Sequence, residues 1–156
     1  MFVASEIILR IYLTIGFVAL LGLSLLAATS FDAAVRRLGQ KWKLLHQSVY
    51  GIAVLGLLHY FIQTKADVSP ATLMAGFYFL LMVYRVFINR RIALKPLALA
   101  ASALIAAILT MVAEFAWYGL ATGIDPWRIA KANFLFTFGL RPAIIVLLVG
   151  LVPSGL

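Results

Sequence analysis

The chain contains two histidines, and both lie in one apolar stretch that is long enough to cross a lipid bilayer. They are His46 and His59, one near each end of residues 44–65. An ionisable side chain inside a membrane is costly, so it indicates a functional site by default. Because imidazole is a common axial ligand of haem iron, haem binding is the chemistry that we expect from these two residues.

The spacing of the two histidines favours haem over a small metal ion. Thirteen residues of straight helix separate their Cα atoms by roughly 20 Å, which is too far for one ion to bind both side chains. Two haems, one in each leaflet, would fit, although about 100° per residue leaves the side chains roughly 140° apart. Gly51 and Gly56 lie between them and would allow either a bend or the close approach of a flat macrocycle. A single haem on one histidine is also consistent.

A six-coordinate haem needs a second axial ligand, and the chain has no third histidine to provide it. Met74, Met82 and Met111 lie in apolar stretches, where methionine is more often a packing residue than a ligand. In the alternative interpretation both histidines are structural, and His46 lies close enough to a basic segment to be merely interfacial. The chain has no cysteine, which excludes disulfides, thiol catalysis, iron–sulfur ligation and thiolate ligation of haem.

The elements that position the histidines are predicted to be membrane-spanning helices. Of the 156 residues, 65% are hydrophobic, and the mean hydropathy of +1.09 exceeds what a soluble core of this size can bury. The sequence predicts an all-α integral membrane bundle of about five helices, at residues 8–29, 44–65, 69–87, 96–118 and 134–152. Arg141-Pro142 interrupts the last span. After the first span, Ser30 or Asp32 is expected to cap a short interfacial helix that Gly39 ends.

Few other side chains in these spans carry chemistry. Gly16, Gly22 and Ser24 in the first span would let a neighbouring helix approach closely. Glu114 lies near the outer end of the fourth span, where we expect it to be solvated or paired with an arginine. Arg141 is expected to snorkel or to pair with another helix. The sequence has no nucleophile elbow, carboxylate pair or phosphate-binding glycine loop that would indicate hydrolysis.

The charged residues predict the orientation of the chain. Thirteen lysines and arginines against five acids give a net charge of +8, which in a membrane protein indicates loops at an anionic leaflet and not a nucleic-acid site. The two richest loops follow the first and third spans, so both are predicted to be cytoplasmic, with a periplasmic N-terminus and a cytoplasmic C-terminus. A periplasmic start without a signal peptide is unusual and is a hint that earlier spans are missing.

A longer segment around the histidines resembles a known family. Residues 29–70, TSFDAAVRRLGQKWKLLHQSVYGIAVLGLLHYFIQTKADVSP, contain the pattern RRLG-x-x-W-x-x-LH, then VY, then LHY and a lysine beyond it. These features resemble the ferric-reductase-like transmembrane family, and within it the haem-binding subunits of periplasmic methionine-sulfoxide reductase systems. The clear resemblance covers about residues 11–90. It divides the chain into a partial family region, residues 1–92, and additional C-terminal transmembrane helices, residues 93–156.

The resemblance implies a b-type haem, and flavin mononucleotide (FMN) has also been associated with the family. His46 and His59 match the family's two histidines on this helix, which implies that both are axial ligands of haem iron. Such subunits pass electrons across the bacterial inner membrane to MsrP, a periplasmic molybdopterin subunit that reduces methionine sulfoxide. Their electrons come from the quinone pool or from a cytoplasmic flavin reductase. Family members have further spans before this region, one of them with another histidine. The resemblance therefore implies that this chain is an N-terminally truncated or mis-started member, or half of a split one.

The sequence leaves two other functions open. One is the transmembrane component of a ferric or other metal reductase, although the chain has no nicotinamide-binding or flavin domain. The other is a non-redox membrane scaffold or a transporter fragment, with both histidines structural. In either redox function the chain is an electron-transfer subunit of an oxidoreductase and not the catalytic subunit.

Overall fold

The computed structural model describes residues 2–64, 67–133, 135 and 139–154, and these residues form helices joined by short connections, without a strand. The helices are α1 (Phe2–Ala28), α2 (Asp32–Leu38), α3 (Gln40–Gln47), α4 (Val49–Gln63), α5 (Ser69–Asn89), α6 (Pro96–Trp117), α7 (Pro126–Ala132) and α8 (Pro142–Leu151). A π-helical turn, Tyr118–Thr122, continues α6, and a 3-10 turn, Val152–Ser154, continues α8.

Four helical stretches in the described residues are long and apolar enough to cross a membrane. They are Ile11–Ala28, Gln40–Gln63, Ser69–Asn89 and Pro96–Thr122, and the second combines α3 with α4. This confirms the predicted multi-pass membrane bundle, with one span fewer than the five expected. The predicted fifth span contains the 10-residue α8, which at 1.5 Å per residue is only about 15 Å long. Part of that predicted span, residues 134 and 136–138, lies outside the described residues.

Local signals placed most helix ends correctly. Pro70 and Pro96 lie in the first turns of α5 and α6, as expected from the fixed φ of proline. Gly39, at φ 53°, ends α2, also as expected. The predicted cap of α2 was wrong: its N-cap residue is Phe31, without a side-chain cap. The hydroxyl of Ser30 instead donates to the carbonyl of Leu26, 2.6 Å away, near the end of α1.

The chain forms two compact units, residues 1–66 and 67–156. In the first unit α1 packs along α4, and two glycines of α1 make the close approach possible. A Cβ on Gly22 would lie 2.8 Å from Cδ1 of Ile52, and one on Gly16 would meet the imidazole of His59. The predicted packing role of these glycines is confirmed. Ser24 differs, because its hydroxyl donates to the carbonyl of Leu20 in its own helix, 2.8 Å away.

In the second unit α5, α6 and α8 pack around a small apolar core that contains Leu80, Ala106 and Val146. Gly76 on α5 sets the distance to both partners. A Cβ at that position would lie 2.5 Å from Cγ2 of Val146 and 2.6 Å from Oγ1 of Thr110.

A further polar contact lies just before α5, outside the span. The carboxylate of Asp67 accepts a hydrogen bond from the backbone N–H of Ser69, which lowers the pKa of the Asp67 carboxyl. The predicted division of the chain at residue 92 concerned family resemblance, and it stays a prediction.

Candidate functional site

The side chain of His59 lies against α1. Its Nδ1 atom is 3.1 Å from the backbone carbonyl oxygen of Tyr12. A carbonyl oxygen only accepts hydrogen bonds, so Nδ1 carries the ring proton and Nε2 keeps a lone pair. Nε2 has no hydrogen-bond partner among the residues that the structure describes. Metal-ligating histidines commonly have a partner of this kind on one nitrogen, which fixes the tautomer and leaves the other nitrogen for the metal.

Two residues of α1, one turn apart, hold the imidazole of His59 in place. The ring of Tyr12 stacks on it, with centroids 4.1 Å apart and planes 9° from parallel. A Cβ on Gly16 would lie 2.5 Å from Cε1 of His59 and 2.6 Å from Nδ1. Gly16 is therefore the residue that makes room for the ring. The sequence predicted Gly16 only as a packing residue, although its spacing of four from Tyr12 places both on one face of α1.

His46 makes a different set of contacts at the other end of the same span. Its Nδ1 is 3.1 Å from the carbonyl oxygen of Trp42, one turn earlier in α3. The Trp42 ring stacks on the imidazole, with centroids 4.0 Å apart and planes 24° from parallel. Trp42 in turn donates its indole N–H to the carbonyl of Thr29, 2.8 Å away. Trp42 thus joins His46 to the end of α1.

The Nε2 atom of His46 is not free in the way that Nε2 of His59 is. It lies 3.3 Å from Oγ of Ser30. Because Nδ1 donates to Trp42, Nε2 is an acceptor, so the Ser30 hydroxyl is the donor in this contact whenever it does not donate to the carbonyl of Leu26, 2.6 Å away. Access to Nε2 of His46 therefore requires the Ser30 side chain to turn, because Ser30 covers the atom that would bind a metal.

The span between the two histidines is interrupted at Ser48. α3 ends at Gln47 and α4 begins at Val49, but the amide of Ile52 still donates to the carbonyl of Ser48, 2.9 Å away. The irregularity therefore lies at Ser48, and not at either of the two glycines that were expected to permit a bend. Both glycines lie within α4, and nothing is within 4 Å of the position that a Cβ would take on either of them.

A second polar cluster lies in the unit of residues 67–156. Glu114 is only 1% exposed, and its Oε1 is 2.5 Å from Nη2 of Arg141. Its Oε2 accepts from Nδ2 of Asn133 at 3.0 Å. The expected pairing of Glu114 with an arginine, and of Arg141 with another helix, is therefore found. Asn133 was missed, because nothing in a sequence relates a residue after α7 to one on α6.

Comparison with known proteins gives matches to sequences only. No family model matches the chain, and no solved structure is significantly similar to it.

Several curated relatives match part of the chain. The protein-methionine-sulfoxide reductase heme-binding subunit MsrQ of Rhodospirillum rubrum is 49% identical over 82 residues, which are 52% of this chain and 39% of that protein. MsrQ of Xanthomonas campestris is 41% identical over 83 residues, 53% of this chain and 38% of that protein. Over about half its length, this chain is similar to the MsrQ proteins. MsrQ of Klebsiella pneumoniae is 50% identical over 66 residues, 42% of this chain and 33% of that protein. The chain spans about two-fifths of the length of the first two MsrQ relatives.

Proposed function

We propose that this chain is the haem-binding part of a membrane electron-transfer subunit of the MsrQ type. The observation that carries the proposal is the orientation of His59. Its Nδ1 proton is donated to the carbonyl of Tyr12, which leaves the Nε2 lone pair available to iron. The names of the MsrQ relatives, which are heme-binding subunits, support the same cofactor.

The donor atoms of the first unit fit haem iron better than a small metal ion. The described residues contain no group of three or more His, Cys, Asp or Glu side chains that would hold an ion. A single imidazole suits iron that already has the equatorial nitrogens of a macrocycle. The open space over Gly51 and Gly56 lets a flat ring approach the backbone of α4. When bound, a b-type haem supplies one-electron redox chemistry.

Both histidines are proposed as axial ligands, and they differ in readiness. His59 presents Nε2 without rearrangement, whereas His46 presents it after Ser30 turns away. Tyr12 and Gly16 act as positioning residues, since they fix the ring of His59 without contacting the iron. No methionine or further histidine lies between residues 2 and 66. We therefore propose that the second axial ligand comes from outside this unit.

The partners belong to the same proposal. Electrons would enter from the quinone pool or a cytoplasmic flavin reductase and leave to MsrP, the periplasmic molybdopterin subunit. The location is the bacterial inner membrane, with the N-terminus in the periplasm and the C-terminus in the cytoplasm. The basic segment that contains α2 would then face the anionic cytoplasmic leaflet. FMN is proposed by family resemblance alone.

Haem content of single variants tests the proposal. The full chain is purified from membranes supplied with haem, and the Soret absorbance per protein is compared with that of His59→Ala and of His46→Ala. We expect His59→Ala to lose most of the Soret absorbance, because it removes the ligand that is already oriented. His46→Ala should lose a smaller share. Leu58→Ala, at a neighbouring position that is 44% exposed, is the matched control and should keep the wild-type value.

Full haem content in both histidine variants would overturn the ligand assignment. The reductase partner is tested separately, by measuring methionine sulfoxide in periplasmic proteins of cells with and without the gene. An unchanged level of methionine sulfoxide, together with a dependence of ferric reduction on the gene, would replace the MsrP partnership with a metal-reductase function.

A further inference from the structure

Glu114 is a buried ionisable residue that the proposed haem site does not use, and it lies in a polar cluster of the second unit. Glu114 lies in the apolar stretch Pro96–Thr122, and an ionisable residue at such a position marks an ion or proton pathway more often than simple packing. Arg141 and Asn133 occupy its two carboxylate oxygens. Both oxygens of the Glu114 carboxylate are thus paired, but Asn133 and Arg141 each have one further polar atom without a hydrogen-bond partner.

Three buried polar atoms near this end of the second unit have no hydrogen-bond partner within the described residues. They are Oδ1 of Asn133, Nε of Arg141 and Oγ1 of Thr72. Asn133 is 2% exposed and Thr72 is fully buried. Native proteins pair almost all such atoms with protein groups or ordered water, so each of these three needs a partner.

The helix register brings Thr72 to the level of Glu114. Gly76 on α5 faces Thr110 on α6, and the two helices run antiparallel across a short connection. Thr72 lies one turn before Gly76, and Glu114 lies one turn after Thr110. The two residues are therefore opposite each other on adjacent helices, and the hydroxyl of Thr72 belongs to the same polar end of the unit.

The types of the unpaired atoms select the ligand. The amide of Asn133 is oriented by its Nδ2, which donates to Glu114 and to the carbonyl of Ile129, 3.2 Å away, so Oδ1 is an acceptor. Nε of Arg141 is a donor. An anion would face Oδ1 of Asn133 and the carboxylate, and a cation would face Arg141. Small neutral molecules that both donate and accept satisfy atoms of both kinds, and water is such a molecule.

We propose that this end of the second unit is a water-binding site, formed by Glu114, Asn133, Arg141 and Thr72, that hydrates a carboxylate inside a membrane-spanning segment. The side chain of Arg141 is 23% exposed, so it connects the site to the surface. The bound water keeps Glu114 in exchange contact with the solvent, although the residue itself is almost fully buried. The site belongs to one unit only and is independent of haem.

The first test observes the water directly. The full chain is labelled with ¹⁵N-arginine in detergent micelles, and the Nε–H resonance of Arg141 is assigned by its loss in Arg141→Lys. We expect a magnetisation-transfer peak between this Nε–H and water, and complete exchange within minutes in D₂O. Absence of the water peak, with an Nε–H that lasts for hours in D₂O, would show a dry protein partner and overturn the proposal.

The second test uses the sign of a stability change. In a dry site, Thr72→Val replaces an unpaired buried hydroxyl by a methyl group of the same shape and should raise Tm. In a hydrated site the same change removes a partner of the bound water, and we expect Tm to fall by a few degrees, with Thr72→Ser close to the wild type. A Tm for Thr72→Val that equals or exceeds the wild-type value would contradict the water site.

Discussion

At the residue scale, the two histidines of this chain are similar in sequence context but differ in the atom that they leave available. Each directs Nδ1 at a backbone carbonyl, that of Tyr12 for His59 and that of Trp42 for His46. Each also stacks on the aromatic ring of the same residue that supplies the carbonyl. The difference lies in Nε2, which Ser30 covers in His46. We therefore expect different losses of haem content when each histidine is replaced, although the sequence pattern does not distinguish the two.

Gly16→Ala tests the packing that holds His59. A Cβ at this position would overlap the imidazole, so either the ring or α1 must move. We expect a loss of about 1–3 kcal/mol of unfolding free energy in the haem-free protein, as for an overpacked core. The measurement is thermal or denaturant unfolding in detergent. Gly56→Ala is the matched control: its Cβ meets open space, so it should be neutral or stabilise by about 0.5–1 kcal/mol. Equal effects of the two substitutions would contradict the role given to Gly16.

Ser30→Ala tests the difference between the histidines. In the His59→Ala background, removal of the Ser30 hydroxyl uncovers Nε2 of His46. We expect the remaining Soret absorbance per protein to rise severalfold. Ser24→Ala is the control, because Ser24 also donates to a carbonyl one turn back in α1 and makes no described contact with His46. If Ser30→Ala and Ser24→Ala give the same haem content, Ser30 does not limit access to His46.

At the element scale, α1 packs against α4 and positions its histidine, and Arg141, the residue before α8, links that helix to α6. Gly16 and Gly22 let α1 pack closely enough for its carbonyl at Tyr12 to reach the histidine of α4. In the second unit, Arg141 is the N-cap residue of α8 and pairs with Glu114 on α6. Because α8 is too short to span a bilayer alone, its position depends on this ion pair and on its packing against α5 and α6.

Removal of Arg141 should be costly, because it leaves the charge of Glu114 buried and unpaired. We expect Arg141→Ala to lower the unfolding free energy by about 3–5 kcal/mol. The double variant Glu114→Gln/Arg141→Ala should recover more than half of this loss, since it no longer buries a charge. Unfolding in detergent measures both. Arg128→Ala, on the exposed side of α7, is expected to stay within about 0.5 kcal/mol of the wild type. A double variant that is no more stable than Arg141→Ala would exclude the buried-charge explanation.

At the scale of the whole molecule, the orientation of the spans decides which side of the membrane lies nearer to each of the two proposed haem ligands. Four helical stretches of the described residues are long and apolar enough to cross a membrane, and most of the basic residues lie outside them. The chain also spans about two-fifths of the MsrQ relatives from Rhodospirillum rubrum and Xanthomonas campestris. The activity of the full-length relatives is therefore only proposed for this chain. The orientation of the chain in the membrane can be measured separately.

The absence of cysteine makes that measurement simple, because one substitution introduces a single thiol. The positive-inside distribution places Lys43 and Arg90 in the cytoplasm and Arg128 in the periplasm. We expect a membrane-impermeant maleimide, added to intact spheroplasts, to label Arg128→Cys and to spare Lys43→Cys and Arg90→Cys until the membrane is permeabilised. The opposite pattern would reverse the orientation and the predicted direction of electron flow.

Much of the fold followed from the sequence, because the signals that define it are local. Apolar stretches placed the four long helices within a few residues. Pro70 and Pro96 fixed the starts of α5 and α6, and Gly39 fixed the end of α2. The capping of α2 and the continuity of the last span were predicted less well. At α2, the Ser30 hydroxyl bonds to a carbonyl of α1 and does not cap the helix. In the last predicted span, α8 begins only at Pro142.

The candidate site divides in the same way. The sequence by itself determined that His46 and His59 are ionisable groups in one apolar span, because residue type and hydropathy are read position by position. Only the tertiary structure decided that Nε2 of His59 is free, that Ser30 covers Nε2 of His46 and that Glu114 is paired with Arg141. Each of these outcomes depends on a contact between residues at least 16 positions apart in the sequence. Such contacts depend on the rotation and register of packed helices, which short-range patterns do not specify.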